Sequence, residues 1–93
     1  MEVINVNDAK SFVTKANSEI REILAPRNSS PANQSLAEAK LLLGRCTQEH
    51  FHPKAEEICF ILQGKGKMRV EDETRDVRAS DGVVILPGQK HKI

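Results

Sequence analysis

The chain has 93 residues, with 14 basic and 13 acidic side chains and a net charge of +1. This length suits one small domain with a thin core. The balanced charge argues against a nucleic-acid or membrane-surface partner, and three Phe without Tyr or Trp leave few platforms on which bases could stack.

The sequence gives no sign of export or of membrane insertion. No apolar stretch is long enough to cross a bilayer, and the first residues include the acidic Glu2 and lack a basic segment followed by an apolar one. We therefore predict a cytoplasmic protein. Cys46 and Cys59 allow at most one disulfide, and in a reducing compartment we expect two free, buried thiols.

The first 35 residues are predicted to hold short elements and a loop. Val3 to Val6 alternates and predicts a strand, and a helical turn is expected from Phe12 to Ala16. The residues alone do not decide between helix and strand for Ser18 to Leu24. The spacing of its apolar residues suits a helix. Pro26 to Gln34 is a loop by composition, either a rim segment or a mobile surface loop.

The remaining residues predict a series of short strands separated by Gly and Pro turns. The run of leucines from 41 to 43 inside the first of them indicates burial on both faces. The pattern favours an antiparallel sandwich or barrel. The predicted strands are Leu36 to Cys46, Glu57 to Gln63, Lys67 to Glu71, Thr74 to Ala79 and Val83 to Leu86.

The strand that starts at Glu57 has two distinct faces, because successive side chains alternate. Glu57, Cys59 and Ile61 are predicted to line the interior. The opposite face is apolar and needs cover from a second sheet or a second subunit; it consists of Ile58, Phe60 and Leu62.

All three histidines fall in positions that suit a metal site. His50 and His52 point the same way from an extended chain, Glu57 follows after a turn, and His91 comes after a second turn. A His-x-His pair alone is usually only a polar strand face. Imidazoles and a carboxylate that converge from adjacent strands can bind a divalent metal and leave coordination positions open.

The spacing of these residues resembles the first motif of the cupin family. That motif is Gly, five residues, His-x-His, three or four residues, Glu, six residues, Gly. It is matched here by Gly44, His50, His52, Glu57 and Gly64. Glu56 would fit the shorter gap, but only Glu57 leaves six residues before the last glycine.

The second cupin motif, Gly, five residues, Pro-x-Gly, two residues, His, is present in a degraded form. Gly88 and His91 fit it, whereas Ser80 stands at the first glycine position and Leu86 at the proline position. Asp81 matches the aspartate that often follows that glycine.

The resemblance implies an all-β, antiparallel double-sheet jelly roll formed by a single domain over residues 1–93. Its metal-binding core would be residues 36–93, after N-terminal strands and a loop in residues 1–35. The group most similar is often labelled mannose-6-phosphate-isomerase-like. It implies an extended segment from Ser18 to Leu24, which we predict as a strand, and a homodimer.

Family members usually continue beyond the last motif histidine with one or two more strands. The barrel is therefore expected to be incomplete at its C-terminal end, unless the N-terminal segment or a neighbouring subunit replaces those strands. His91 lies two residues before the last residue of the sequence. It is expected to fray and to bind metal less reliably than the other three ligands.

The resemblance implies a mononuclear site with three His and one Glu, holding one divalent Fe, Mn, Zn or Ni ion. We predict an enzyme that acts on a small polar metabolite, with dioxygenase or sugar isomerase-type chemistry. The alternative is a non-catalytic metal- or small-ligand-binding, or sensory, module. An inward-pointing Arg69 would hold an anionic substrate, and Glu49 and Glu56 are either proton-transfer groups or solvated charges.

Overall fold

The protein is all-β and antiparallel, as predicted. The computed structural model describes residues 1–14, 18–44, 46–47 and 49–93. Every strand pair in these ranges is antiparallel, and the one helical element in them is a 3₁₀ turn, Val6–Asp8. No helix in the described part of the chain is long and apolar enough to span a membrane.

The chain forms two compact units, Met1–Cys46 and Thr47–Ile93. The first holds a three-stranded sheet of order β1-β2-β3, made of β1 (Ser11–Val13), β2 (Glu19–Leu24) and β3 (Leu36–Lys40). The strand predicted from Ser18 to Leu24 is confirmed as β2. The assignment of residues 1–93 to one domain stays a prediction.

Two predictions for the N-terminal residues are wrong. Val3 to Val6 is not a strand, because the side chain of Asn5 accepts a hydrogen bond from the backbone N–H of Asn7 and caps the 3₁₀ turn instead. The predicted helical turn begins within β1, where Phe12 pairs with Ile20. Its last two residues, at positions 15 and 16, lie outside the described residues.

The strand predicted from Leu36 to Cys46 is shorter than expected. β3 ends at Lys40, and Leu42 and Leu43 are 68% and 101% exposed. The prediction that this apolar run is buried on both faces is therefore wrong. The prediction that Cys46 is buried is wrong as well, since Cys46 is exposed. Gly44 follows in the left-handed region, with φ of 78°.

The second unit contains two sheets. One pairs β4 (Glu57–Phe60) with β7 (Gly82–Ile85), and the other has the order β6-β5-β8. The strands of this second sheet are β5 (Lys65–Val70), β6 (Glu73–Arg78) and β8 (His91–Lys92).

Both sheets of the second unit contribute to one apolar core, as a double-sheet arrangement requires. Met68 of β5, Val77 of β6 and Ile85 of β7 are its buried centre. The strand predicted from Glu57 to Gln63 is shorter, because β4 ends at Phe60, but the two predicted faces of this segment are confirmed. Cys59 and Ile61 pack against this core, and the opposite face is exposed at Ile58, Phe60 and Leu62.

The turn before β7 contains a strained residue, Ser80, with φ of 76°. A side chain in the left-handed region costs about 1–2 kcal/mol, whereas glycine adopts it freely and loses about 0.4–1 kcal/mol through the entropy of the unfolded chain. We expect Ser80→Gly to raise the free energy of unfolding by about 0.5–1 kcal/mol in a urea titration. Ala79→Gly, one residue earlier and outside the positive-φ set, is the control and should not stabilise. Equal effects of the two changes would contradict this explanation.

Candidate metal centre

Backbone pairing places two of the histidines side by side. The N–H of His50 donates to the carbonyl of His91 at 3.1 Å, and the N–H of His91 donates back at 2.9 Å. Their ring centroids lie 4.0 Å apart. A bridge between two distant parts of the chain therefore positions both imidazoles.

The other two residues of the cluster are held by neighbouring backbone. The carbonyl of His52 accepts a hydrogen bond from the N–H of Gly88 at 2.8 Å, so the turn before β8 fixes the chain that carries His52. Glu57 is the first residue of β4 and pairs with Ile85 of β7. The pairing anchors the backbone beneath its carboxylate.

The structure brings together all four residues predicted as ligands. One ligand atom from each of His50, His52, Glu57 and His91 lies within 4.8 Å of the others. The Nε2 atom of His52 is 3.3 Å from Oε1 of Glu57, and Nε2 of His91 is 3.6 Å from Oε2. Metal–ligand bonds of about 2.0–2.2 Å place two ligands on one ion at most about 4.4 Å apart. Both His–Glu distances lie within that limit, and the 4.8 Å spread of the four atoms exceeds it only slightly, so small side-chain shifts would let one divalent ion reach all four.

His91 provides the most direct sign that these residues fit a metal. The residue is 2% exposed, and its Nε2 is buried without a hydrogen-bond partner among the described residues. Its Nδ1 lies 3.3 Å from the carbonyl oxygen of Gln89, and we assign the proton to Nδ1, which leaves a lone pair on Nε2. A buried nitrogen in this state costs about 1–3 kcal/mol, and a metal ligand bond would satisfy it.

The expectation that His91 frays is wrong. β8 pairs with β5, where His91 lies opposite Val70, and the backbone bridge to His50 adds a second attachment. Burial of the ring follows from these two contacts. His50 is exposed and His52 half-buried, so the accessible side of the cluster lies at these two residues.

The carboxylate of Glu57 has a hydrogen-bond donor in Cys59. The Sγ of Cys59 donates to Oε2 of Glu57 at 3.0 Å. Burial, this hydrogen bond and the charge of Glu57 together raise the pKa of the thiol to about 12. Cys59 is therefore a protonated thiol at neutral pH, and its packing on the core agrees with a structural cysteine. Sequence reasoning placed both residues on one face but missed this contact.

Arg69 does not reach the cluster, so it lacks the inward orientation that would hold an anionic substrate. It lies opposite Lys92, whereas its neighbour Val70 lies opposite His91. Alternation therefore puts Arg69 on the other face of the sheet from His91. There it forms an ion pair with Glu49, which engages one of the two glutamates that flank the histidines.

The structure accounts for Leu86 at a position where the second motif usually has proline. The N–H of Leu86 donates to Oε1 of Gln89 at 2.9 Å. Proline has no N–H and would lose this bond. The side chain of Gln89 thus stabilises the turn that leads into His91.

The comparisons with known proteins agree with this geometry. The cupin domain family matches residues 38–93. The chain is 42% identical over 84 residues to the uncharacterized protein MJ1618 of Methanocaldococcus jannaschii, covering 90% of this chain and 67% of that protein. No solved structure matches it.

Two bacterial relatives are more distant. The polyketide synthase CurC of Streptomyces cyaneus is 26% identical over 84% of this chain and 51% of its own length. The tetracenomycin polyketide synthase protein TcmJ of Streptomyces glaucescens is 25% identical over 78% of this chain and 49% of its own. The chain thus spans about half the length of these two relatives. Because the family match covers more than half of the chain and includes all four clustered residues, this protein belongs to the cupin family.

Proposed function

We propose that His50, His52, Glu57 and His91 hold one divalent transition metal, and that the chain is an enzyme acting on a small polar metabolite. The observation that carries the metal site is the buried, unpartnered Nε2 of His91, which lies beside a carboxylate and two further imidazoles. A buried polar atom in a native fold normally has a partner.

The donor set limits which metal is suitable. Three imidazole nitrogens and one carboxylate oxygen suit Fe, Mn, Zn or Ni, whereas an ion that prefers only oxygen ligands, such as Ca²⁺, is disfavoured. Four protein ligands on a six-coordinate ion leave two positions for water or substrate. The exposure of His50 and the partial exposure of His52 support entry of a small molecule from that side.

We propose dioxygenase or sugar isomerase-type chemistry. A divalent ion at this site would supply Lewis acidity, a bound water of lowered pKa, or a template for substrate. The names of the Streptomyces relatives connect them with polyketide synthesis, which supports a small organic substrate for this chain as well. The residues of the cluster would orient such a substrate by fixing the ion between β4 and β8.

A non-catalytic, small-ligand-binding or sensory module is the second candidate, and one observation favours it. Glu49 is tied to Arg69 on the far face of the sheet, so this flanking glutamate is not positioned for proton transfer at the cluster. Turnover assays on the metal-loaded protein, by oxygen uptake and by sugar-phosphate isomerisation, separate the two candidates.

The homodimer and the cytoplasmic location remain predictions. The exposed apolar side chains Ile58, Phe60 and Val84 support the homodimer, because Ile58 and Val84 are paired neighbours on one face of β4 and β7. Contiguous exposed apolar surface often marks an interface between proteins.

Metal loading tests the proposed site. Chelator-treated protein is incubated with Fe(II) without oxygen, or with Mn(II), Zn(II) or Ni(II), and the bound metal is measured by elemental analysis after desalting. We expect about one ion per chain for the wild type with at least one metal, and loss of binding in His52→Ala. Lys54→Ala, on the exposed segment nearby, is the matched control and should load normally. Absence of stoichiometric metal in the wild type would refute the proposal.

A further inference from the structure

We propose that Cys59 is a positioning residue that holds the Glu57 carboxylate in the orientation needed for metal binding. This inference rests on the proposed metal site and deepens it. It assigns a role to a thiol that the family match and the relatives leave without one. The proposal follows from a strand geometry, a hydrogen bond and a buried nitrogen.

The strand geometry fixes donor and acceptor relative to each other. Glu57 and Cys59 lie on the same face of β4, and each is paired across the ladder, with Ile85 and Val83 respectively. The backbone below both side chains is therefore held by β7. Cys59 is also packed against the core, so its Sγ is a fixed point for a carboxylate that is 34% exposed.

The hydrogen bond acts on the oxygen that matters most for the cluster. Cys59 donates to Oε2 of Glu57 at 3.0 Å, and this is the oxygen 3.6 Å from Nε2 of His91. The other oxygen, Oε1, is 3.3 Å from Nε2 of His52. A glutamate side chain has several rotamers, and rotation away from Cys59 would move both oxygens away from the two histidines.

The buried nitrogen supplies an independent indication that a ligand belongs here. Nε2 of His91 has no hydrogen-bond partner in the described part of the chain and faces the same carboxylate oxygen. When the Glu57 carboxylate is held beside this nitrogen, both are placed to bind the same metal ion. Residues that orient metal ligands in this way typically change metal affinity by about 10–100-fold when replaced. Because a thiol is a weak donor, we expect the lower end of that range.

The simpler role for Cys59 is as a small apolar core residue, and two substitutions separate the roles. Cys59→Ser keeps a hydrogen-bond donor but is less apolar. Cys59→Val keeps an apolar side chain, about one methyl group larger, and has no donor. A positioning role predicts that Cys59→Ser preserves metal binding and Cys59→Val weakens it. A packing role predicts instead that Cys59→Val binds metal like the wild type and that Cys59→Ser is the less stable of the two variants.

The experiment measures Zn(II) affinity by competition with a chromophoric chelator, under reducing conditions, for the wild type and both variants. The visible absorption spectrum of the Co(II)-loaded proteins reports on the ligand geometry. Urea unfolding of the metal-free proteins reports on packing. Cys46→Ser, at the exposed cysteine, is the control and should leave all three readouts unchanged.

We expect Cys59→Val to bind Zn(II) about tenfold more weakly with an altered Co(II) spectrum, and Cys59→Ser to remain within about twofold of the wild type. Wild-type affinity and spectrum in Cys59→Val would overturn the positioning role and leave the metal site intact. If the wild type takes up none of Fe(II), Mn(II), Co(II), Ni(II) and Zn(II), the proposed function fails and this inference fails with it.

Discussion

Replacing His91 with Ala is expected to lower the affinity for a divalent transition metal by more than about 100-fold. Changes to residues that merely orient a ligand already cost about 10–100-fold, and this substitution removes a ligand. His91 is also the most buried of the four cluster residues, so no water-exposed side chain can readily take its place. Competition with a chromophoric chelator for Zn(II) measures the change.

The adjacent residue provides the matched control. Lys92 lies on the same two-residue strand, β8, opposite Arg69 and on the other face from His91. Lys92→Ala should therefore bind metal like the wild type. Circular dichroism of both metal-free variants checks that β8 still forms. If His91→Ala binds Zn(II) within tenfold of the wild type, His91 is not a ligand.

The directions of the site residues were predictable from the sequence because they depend on local geometry. In an extended chain, residues two apart share a side, and this places His50 with His52. The approach of His91 depends instead on a backbone bridge to His50 between segments far apart in the chain. Only the resemblance to spaced family motifs indicated that contact.

Two wrong predictions about the fold have different physical causes. The apolarity of the leucines from 41 to 43 predicts burial, but the chain leaves β3 at Lys40, and hydrophobicity alone does not say which surface covers a segment. Val3 to Val6 alternates like a strand, but the Asn5 side chain competes for the backbone and favours a turn.

The position of Arg69 shows that the alternation of side chains along a strand does not predict which face is inward unless the pairing register is known. The sequence shows that Arg69 and Val70 face opposite ways but not which of them faces the metal cluster. The pairing of Val70 with His91 decides this. A shift of one residue would have reversed the assignment.

Replacing Ile85 with Ala is expected to lower the free energy of unfolding by about 3 kcal/mol, within the 2–5 kcal/mol typical of buried Ile-to-Ala changes. Ile85 is the largest fully buried side chain described in the structure and packs with Met68 and Val77 in the core of the second unit. Urea denaturation of the metal-free protein measures the loss.

Lys67→Ala is the matched control, because Lys67 is exposed and lies on β5 next to the core residue Met68. It should change the free energy of unfolding by less than about 0.5 kcal/mol. Losses of equal size in the two variants would show that burial of Ile85 does not stabilise this unit. Since Ile85 pairs with Glu57 across the β4–β7 ladder, Ile85→Ala should also weaken metal binding. Lys67→Ala should leave metal binding unchanged, which ties the integrity of the core to the position of the carboxylate ligand.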